Sequence, residues 1–172
     1  HIAFLELVID PTGTLVFEAE AGGAGLMQRP PRRAQEPLLS RRHMLLSVLQ
    51  GSCITAGVMA LYALALAQGW APAAAATAAF VCLVVANGVL ILPSRADHWR
   101  QPLLRGLPGV SMVVLGGTLA ALLLVTLWAP LAQAFGFAVL GPLPWLLSGA
   151  CGVVLLPVFL MNKRFLARVN AA

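Results

Sequence analysis

The stretch "MLLSVLQGSCITAGVMALYALALAQGWAPAAAATAAFVCLVVANGVLILPS", Met44 to Ser94, contains no charged residue. A second stretch, Gly106 to Asn162, contains none either. A soluble domain carries roughly 25% charged residues; this 172-residue chain carries 10%, against 60% hydrophobic. Crossing a bilayer as a helix takes about 20 apolar residues. Each stretch therefore has room for two spans joined by a tight hairpin. The reading is an all-α, polytopic membrane helical bundle.

Turn and interface residues divide the two stretches. The first breaks at Gln68-Gly69-Trp70-Ala71-Pro72, predicting spans at 44–68 and 73–92. The second breaks between Trp128-Ala129-Pro130 and Gly141-Pro142, predicting spans at 110–128 and 143–161. Pro and Gly punctuate turns, and Trp favours the headgroup layer, where its ring is apolar-facing and its N–H finds a partner. The tripeptide "WAP" occurs twice at a helix exit, and two independent interfacial turns account for it without an internal repeat. Small residues at helix-contact spacing, Ser52, Ala56 and Ala60, and Ser148 with Gly152, read as packing positions.

The basic residues set the orientation. All eleven fall in three segments: Arg29, Arg32, Arg33, Arg41 and Arg42; Arg95, Arg100 and Arg105; and Lys163, Arg164 and Arg168. The hairpin tips carry none. Two hairpins between three basic segments put those segments on one face, and the positive-inside rule makes that face cytoplasmic. The expected location is the cell membrane, multi-pass, with a cytoplasmic C-terminus. The net charge of +5 then expresses topology and contact with anionic lipid. Nucleic acid is excluded as a partner, because the basic residues flank spans and form no aromatic-studded soluble surface.

Cys53, Cys82 and Cys151 occur singly in three predicted helices, with no C-x-x-C, and read as small apolar packing residues. His1, His43 and His98 form no zinc motif. The chain shows no secretory signal and begins with His1, so an upstream segment is expected.

The acids are concentrated elsewhere. In "LELVIDPTGTLVFEAE", Leu5 to Glu20, Glu6 and Asp10 stand within an apolar run that enters the basic loop from the far side. Four residues apart, they share one helix face. Two carboxylates together in a water-poor site share a proton or hold a cation, and acids within a span mark function. A boundary position facing water is the alternative. Pro11 has no N–H to bond the Leu7 carbonyl and pushes Asp10 from helical geometry. Loosened backbone beside acids supplies the charged and carbonyl oxygens that a hard cation needs; a plain Pro kink is the blander reading.

That stretch, followed by "LMQRPPRRAQEPLLSRR" (Leu26 to Arg42), resembles the end of the sixth transmembrane helix and the next cytoplasmic loop of cation-transporting P-type ATPases. In calcium pumps the stretch reads like "VNLVTDGLPA…DIMDRPPR…EPLIS", with Asp10 and Arg29 aligning without a gap. The resemblance covers the whole chain but is specific in residues 5 to 42. It implies three regions: 1–20, the end of the ion-binding helix; 21–43, a cytoplasmic Pro/Arg-rich loop; and 44–172, a four-helix C-terminal membrane bundle. Asp10 stands where the family has a cation-bridging aspartate. Glu6 replaces a ligand asparagine, adding charge, and Ile9 replaces a ligand threonine, removing an oxygen. In "CLVVANGVLIL" (Cys82 to Leu92), Val84 occupies the position of a ligand glutamate. Asn87, a turn away, either offers an oxygen or bonds a neighbouring helix.

"DPTGTL", Asp10 to Leu15, also matches the phosphorylation motif "DKTGTL" at all positions but one. The motif's Lys is Pro11 here, a basic loop and membrane follow within about twenty residues instead of a large soluble domain, and the flanks fit the sixth helix. The match is a coincidence of short motifs.

The expected function is thus the C-terminal membrane fragment of an ATP-driven P-type cation pump, contributing part of the cation site through Glu6, Asp10 and Asn87 together with a support bundle. The cation is calcium, manganese, sodium or a proton. The remaining partners are the bilayer and the N-terminal part of the pump, against whose phosphorylation domain residues 27–40 would lie unless they are a plain solvated connector. ATP and Mg belong to that part; no cofactor is expected in this chain, and no catalysis from it alone. The alternative is a stand-alone, non-catalytic multi-pass protein, either an accessory subunit or a piece of a secondary transporter.

Overall fold

The computed structural model describes Glu6, Thr14, Leu15, Glu18 and the stretches 41–95 and 109–169. Its helices are α1 (Arg41–Ala67), α2 (Pro72–Arg95), α3 (Gly109–Leu127), α4 (Ala129–Ala134) and α5 (Pro142–Val169). There is no strand among the described residues. Three of the helices contain segments long and apolar enough to cross a membrane, Met44–Ala67, Pro72–Ile91 and Pro142–Met161. The apolar part of α3, Ser111–Leu127, is shorter; at 1.5 Å per residue it rises about 25 Å.

The helices start and stop for local reasons. At the end of α1, Trp70 N–H donates to the Ala65 carbonyl (3.0 Å) and Gly69 N–H to the Leu66 carbonyl (2.9 Å). This crossed pair is a Schellman cap, and it requires the left-handed conformation that Gly69 adopts at φ 82°. Pro72 then opens α2 at a position whose N–H would have no helical partner. The same device recurs after α4. Phe137 N–H donates to the Ala132 carbonyl (2.7 Å), Gly136 N–H to the Gln133 carbonyl (3.1 Å), and Gly136 has φ 71°. Pro142 opens α5.

The second hairpin is more than a turn. Where the sequence predicts only a break between Trp128 and Pro142, the structure folds α4 and then an extended return, Phe137 to Leu140, with both of those residues buried. Trp128 is the joint: its N–H donates to Leu124 (3.1 Å), and its carbonyl accepts from Ala132 (3.0 Å).

α2 is the central helix. It packs most extensively on α5, then on α1, and also meets α3. One apolar cluster joins Phe80, Val81 and Val84 of α2 to Leu122 and Val125 of α3 and to Phe137 and Leu140 of the return. A second joins Ile54 of α1, Ala86 of α2 and Phe159 of α5. Lipid is as apolar as these side chains, so close packing and interhelical hydrogen bonds, rather than escape from water, hold such helices together.

The small-residue positions divide. Ser148 and Gly152 are buried, as expected, Gly152 against Cys82 and Val85 of α2. Ser52, Ala56 and Ala60 are exposed, contrary to expectation. α1 instead buries Ile54 and Ala65; residues two apart on a helix point about 200° apart, so the row containing Ser52 lies on the opposite side.

Candidate cation-binding residues and the locked hairpin ends

Among the three candidate site residues, Glu6 is exposed. Asp10 lies outside the described residues. Asn87 sits on α2, half-buried, about 22 Å along the helix from its start at Pro72. Its side-chain amide N donates to the Leu83 carbonyl at 3.0 Å. The amide is therefore tethered to its own helix, and Oδ1 is the atom it offers to a cation or to a neighbouring donor. No described contact brings Glu6 and Asn87 together, and among the described residues no group of three or more His, Cys, Asp or Glu could hold a metal ion.

The charge available for a cation is correspondingly narrow. The uncharged stretches Met44 to Ser94 and Gly106 to Asn162 include every described span. Those helices contribute neutral oxygens only, and all six carboxylates of the chain, Glu6 and Asp10 among them, lie outside those stretches. A hard cation surrounds itself with about six to eight oxygens when it is calcium-sized, more than these three side chains could supply.

The best-defined polar structure lies at the hairpin ends, where sequence reasoning did not look. Thr126 Oγ1 donates to the Leu122 carbonyl (2.6 Å) and accepts from Trp145 Nε1–H (3.0 Å). Thr77 Oγ1 donates to the Ala73 carbonyl (2.9 Å) and accepts from the Ala138 backbone N–H (2.9 Å). Leu140 N–H reaches the Thr126 carbonyl at 3.3 Å, and the Phe80 and Phe137 rings lie 5.0 Å apart between centroids. Each threonine thus spends its proton on its own helix and its lone pair on another element. A buried donor left without its acceptor costs about 1–3 kcal/mol, so these pairings fix the return of the second hairpin against the start of α2. In the sequence Thr77 and Thr126 stand as hydroxyls within largely apolar helices, beside others such as Ser111 and Thr118. The bonds of Thr77 and Thr126 also put the tips of the two hairpins at one end of the bundle.

Long apolar helices joined through Gly- and Pro-capped turns define the class: a polytopic helical membrane protein. Residues 1–165 match the family described as "Cation transporting ATPase, C-terminus". The chain belongs to that family, and so to the membrane region of cation-transporting ATPases. No curated protein matches it in a sequence comparison.

Proposed function

We propose that this chain serves an ATP-driven P-type pump as its C-terminal membrane part, with Asp10 and Glu6 supplying charge to the intramembrane cation site and Asn87 a neutral oxygen. The observation that carries the reading is the family match across residues 1–165. The position of Asn87 supports it, because α2 is held on several sides and presents that amide from a fixed helix. So does the sequence around Pro11, which frees the Leu7 carbonyl in the same turn as both acids.

In this reading the cation enters a water-poor site where two carboxylates one turn apart cannot both stay ionised without a counter-charge. A bound cation provides it; without the cation, a shared proton does. ATP and Mg act in the upstream part of the pump, whose phosphorylation opens and closes the site. The three basic segments face the cytoplasm, and the joined hairpin tips face the other side.

The test is cation-stimulated ATP hydrolysis by the pump that contains this chain, reconstituted in vesicles and challenged separately with calcium, manganese, sodium and an acid pulse. Stimulation by one of these with matching uptake supports the reading. ATP hydrolysis indifferent to all four would sink it.

A further inference from the structure

Among the described residues one buried side-chain oxygen has no hydrogen-bond partner, Ser111 Oγ. Ser111 is fully buried and stands in the first turn of α3. The hydroxyls of Thr77, Thr118, Thr126 and Ser148 behave differently, each donating to the carbonyl four residues back. Helical Cα–Cβ bonds tilt toward the N-terminus, so the Ser111 hydroxyl is carried toward the opening turn of its own helix.

That turn needs acceptors. The first N–H groups of a helix have none within it. Arg105-Gly106-Leu107-Pro108, just before α3, offer no side-chain oxygen to cap them, and the first turn contains no acid. Where lipid replaces water, each such group left alone costs several kcal/mol. Space is available beside Gly109, where an added Cβ would meet nothing within 4 Å. Met112 and Val113 are exposed, so lipid reaches the turn from that side.

Depth and charge point the same way. From the Trp128 joint the apolar part of α3, Ser111–Leu127, rises about 25 Å, short of a hydrocarbon core about 30 Å thick. The opening turn therefore sits at the edge of the headgroup layer. Gly88 of α2 faces Leu115 of α3, whose Cδ2 an added Cβ would meet at 3.8 Å. From Gly88 to Arg95 is about 10 Å along α2, and from Leu115 back to Gly109 about 9 Å along α3. Arg95, the last residue of α2, thus ends that helix level with the start of α3.

We propose that the start of α3 binds the phosphate of an anionic phospholipid from the leaflet on the side of the basic segments. The phosphate approaches past Gly109, where no side chain stands in the way. Its oxygens accept from the first-turn N–H groups and from the Ser111 hydroxyl, which meets it from the buried side. The helix dipole favours the negative charge at that end. A choline headgroup would set its own cation beside the basic residues at this level, so the lipid with a net negative charge is preferred. The bound lipid would join the ends of α2 and α3, about 12 Å along α2 from Asn87. Nothing in this binding depends on which cation is moved.

The experiment uses the whole chain, labelled with nitrogen-15, in three preparations: phosphatidylcholine vesicles, the same vesicles with inorganic phosphate in the buffer, and vesicles of phosphatidylcholine mixed with phosphatidylglycerol. Solid-state NMR then reads phosphorus-to-nitrogen contacts. Close contacts at the Gly109 and Ser111 amides are expected with phosphatidylglycerol and not in the other two preparations. Binding of spin-labelled phosphatidylglycerol should weaken about tenfold in Ser111→Ala, the loss of one hydrogen bond to a charged group, and stay unchanged in Val113→Ala, an exposed neighbour. No contact with phosphatidylglycerol, equal contacts in all three preparations, contact with inorganic phosphate only, or unchanged binding in Ser111→Ala would overturn the proposal. The contacts are read in the unsubstituted chain, so a variant that fails to fold leaves them decisive.

Discussion

A single missing carbon shapes the α2–α5 contact. At Gly152 an added methyl would meet the Cys82 carbonyl oxygen at 2.8 Å, and a helix backbone cannot rotate away as a side chain does. Gly152→Ala is therefore expected to separate the two helices at a cost of about 1–3 kcal/mol, the usual range for overpacking. Gly57 provides the contrast. Its nearest neighbours are the Leu155 methyl carbons at 3.3 Å, the far end of a flexible side chain, and alanine recovers up to about 1 kcal/mol of helix propensity. Thermal unfolding in detergent should therefore show a clear drop for Gly152→Ala and little change for Gly57→Ala; equal drops would mean that the close approach is not where the structure has it. The acids call for a different measurement, made on the pump that contains the chain. Asp10→Asn keeps size and an oxygen but removes the charge on which a hard cation depends. Cation affinity and cation-dependent phosphorylation from ATP should fall steeply, while phosphorylation from inorganic phosphate in the cation-free state survives. Glu6→Gln should act in the same direction more weakly if Glu6 mainly carries a proton. Glu18→Gln, at an exposed position two turns beyond Asp10, should matter little. Normal transport by a folded Asp10→Asn pump would make both acids boundary residues.

Each helix is delimited by residues that can be named in advance, yet the elements differ in how much of their role the sequence discloses. Gly69 and Gly136 both take positive φ at crossed caps, and both caps belong to hairpin tips joined through Thr77 and Ala138. If one tip faces away from the cytoplasm, so must the other. Accessibility tags at Gly69 and Gly136 should therefore report the same, non-cytoplasmic side, and tags at Ala96 and Ala171 the cytoplasm. A tag at Ala96 found on the side of Gly69 would contradict the pairing of the spans. The short helix α4 escaped prediction for a physical reason. Six residues with a proline near the start have too few internal hydrogen bonds to form a helix unaided. α4 is stabilised by burial of its own Ala132 and by its place between the Trp128 joint and the buried Phe137.

Taken whole, the molecule is a bundle arranged around α2, with carboxylates only outside the described spans. Phosphoryl transfer needs nucleotide, metal and nucleophile positioned together, and among the described residues no group of three or more His, Cys, Asp or Glu could hold a metal ion. The isolated chain should accordingly neither hydrolyse ATP nor take label from it, as incubation with radiolabelled ATP and acid quenching would show; label on Asp10 would revive the rejected reading of "DPTGTL". The membrane character, the helical class and the positions of the turns followed from the sequence alone. Charge-free length, Gly and Pro act locally, through the cost of taking charge out of water and through backbone stereochemistry, and neither depends on the neighbouring helix. Which faces of the helices meet was not accessible in that way. In lipid every side of such a helix is apolar, so no hydrophobic stripe marks the buried face, and small residues occur on both sides. Only the tertiary structure could put Gly152 against Cys82 and Val85 and leave Ser52 outside the contact, and join Thr77 to Ala138, because each of those choices is made by the fit of one helix against another.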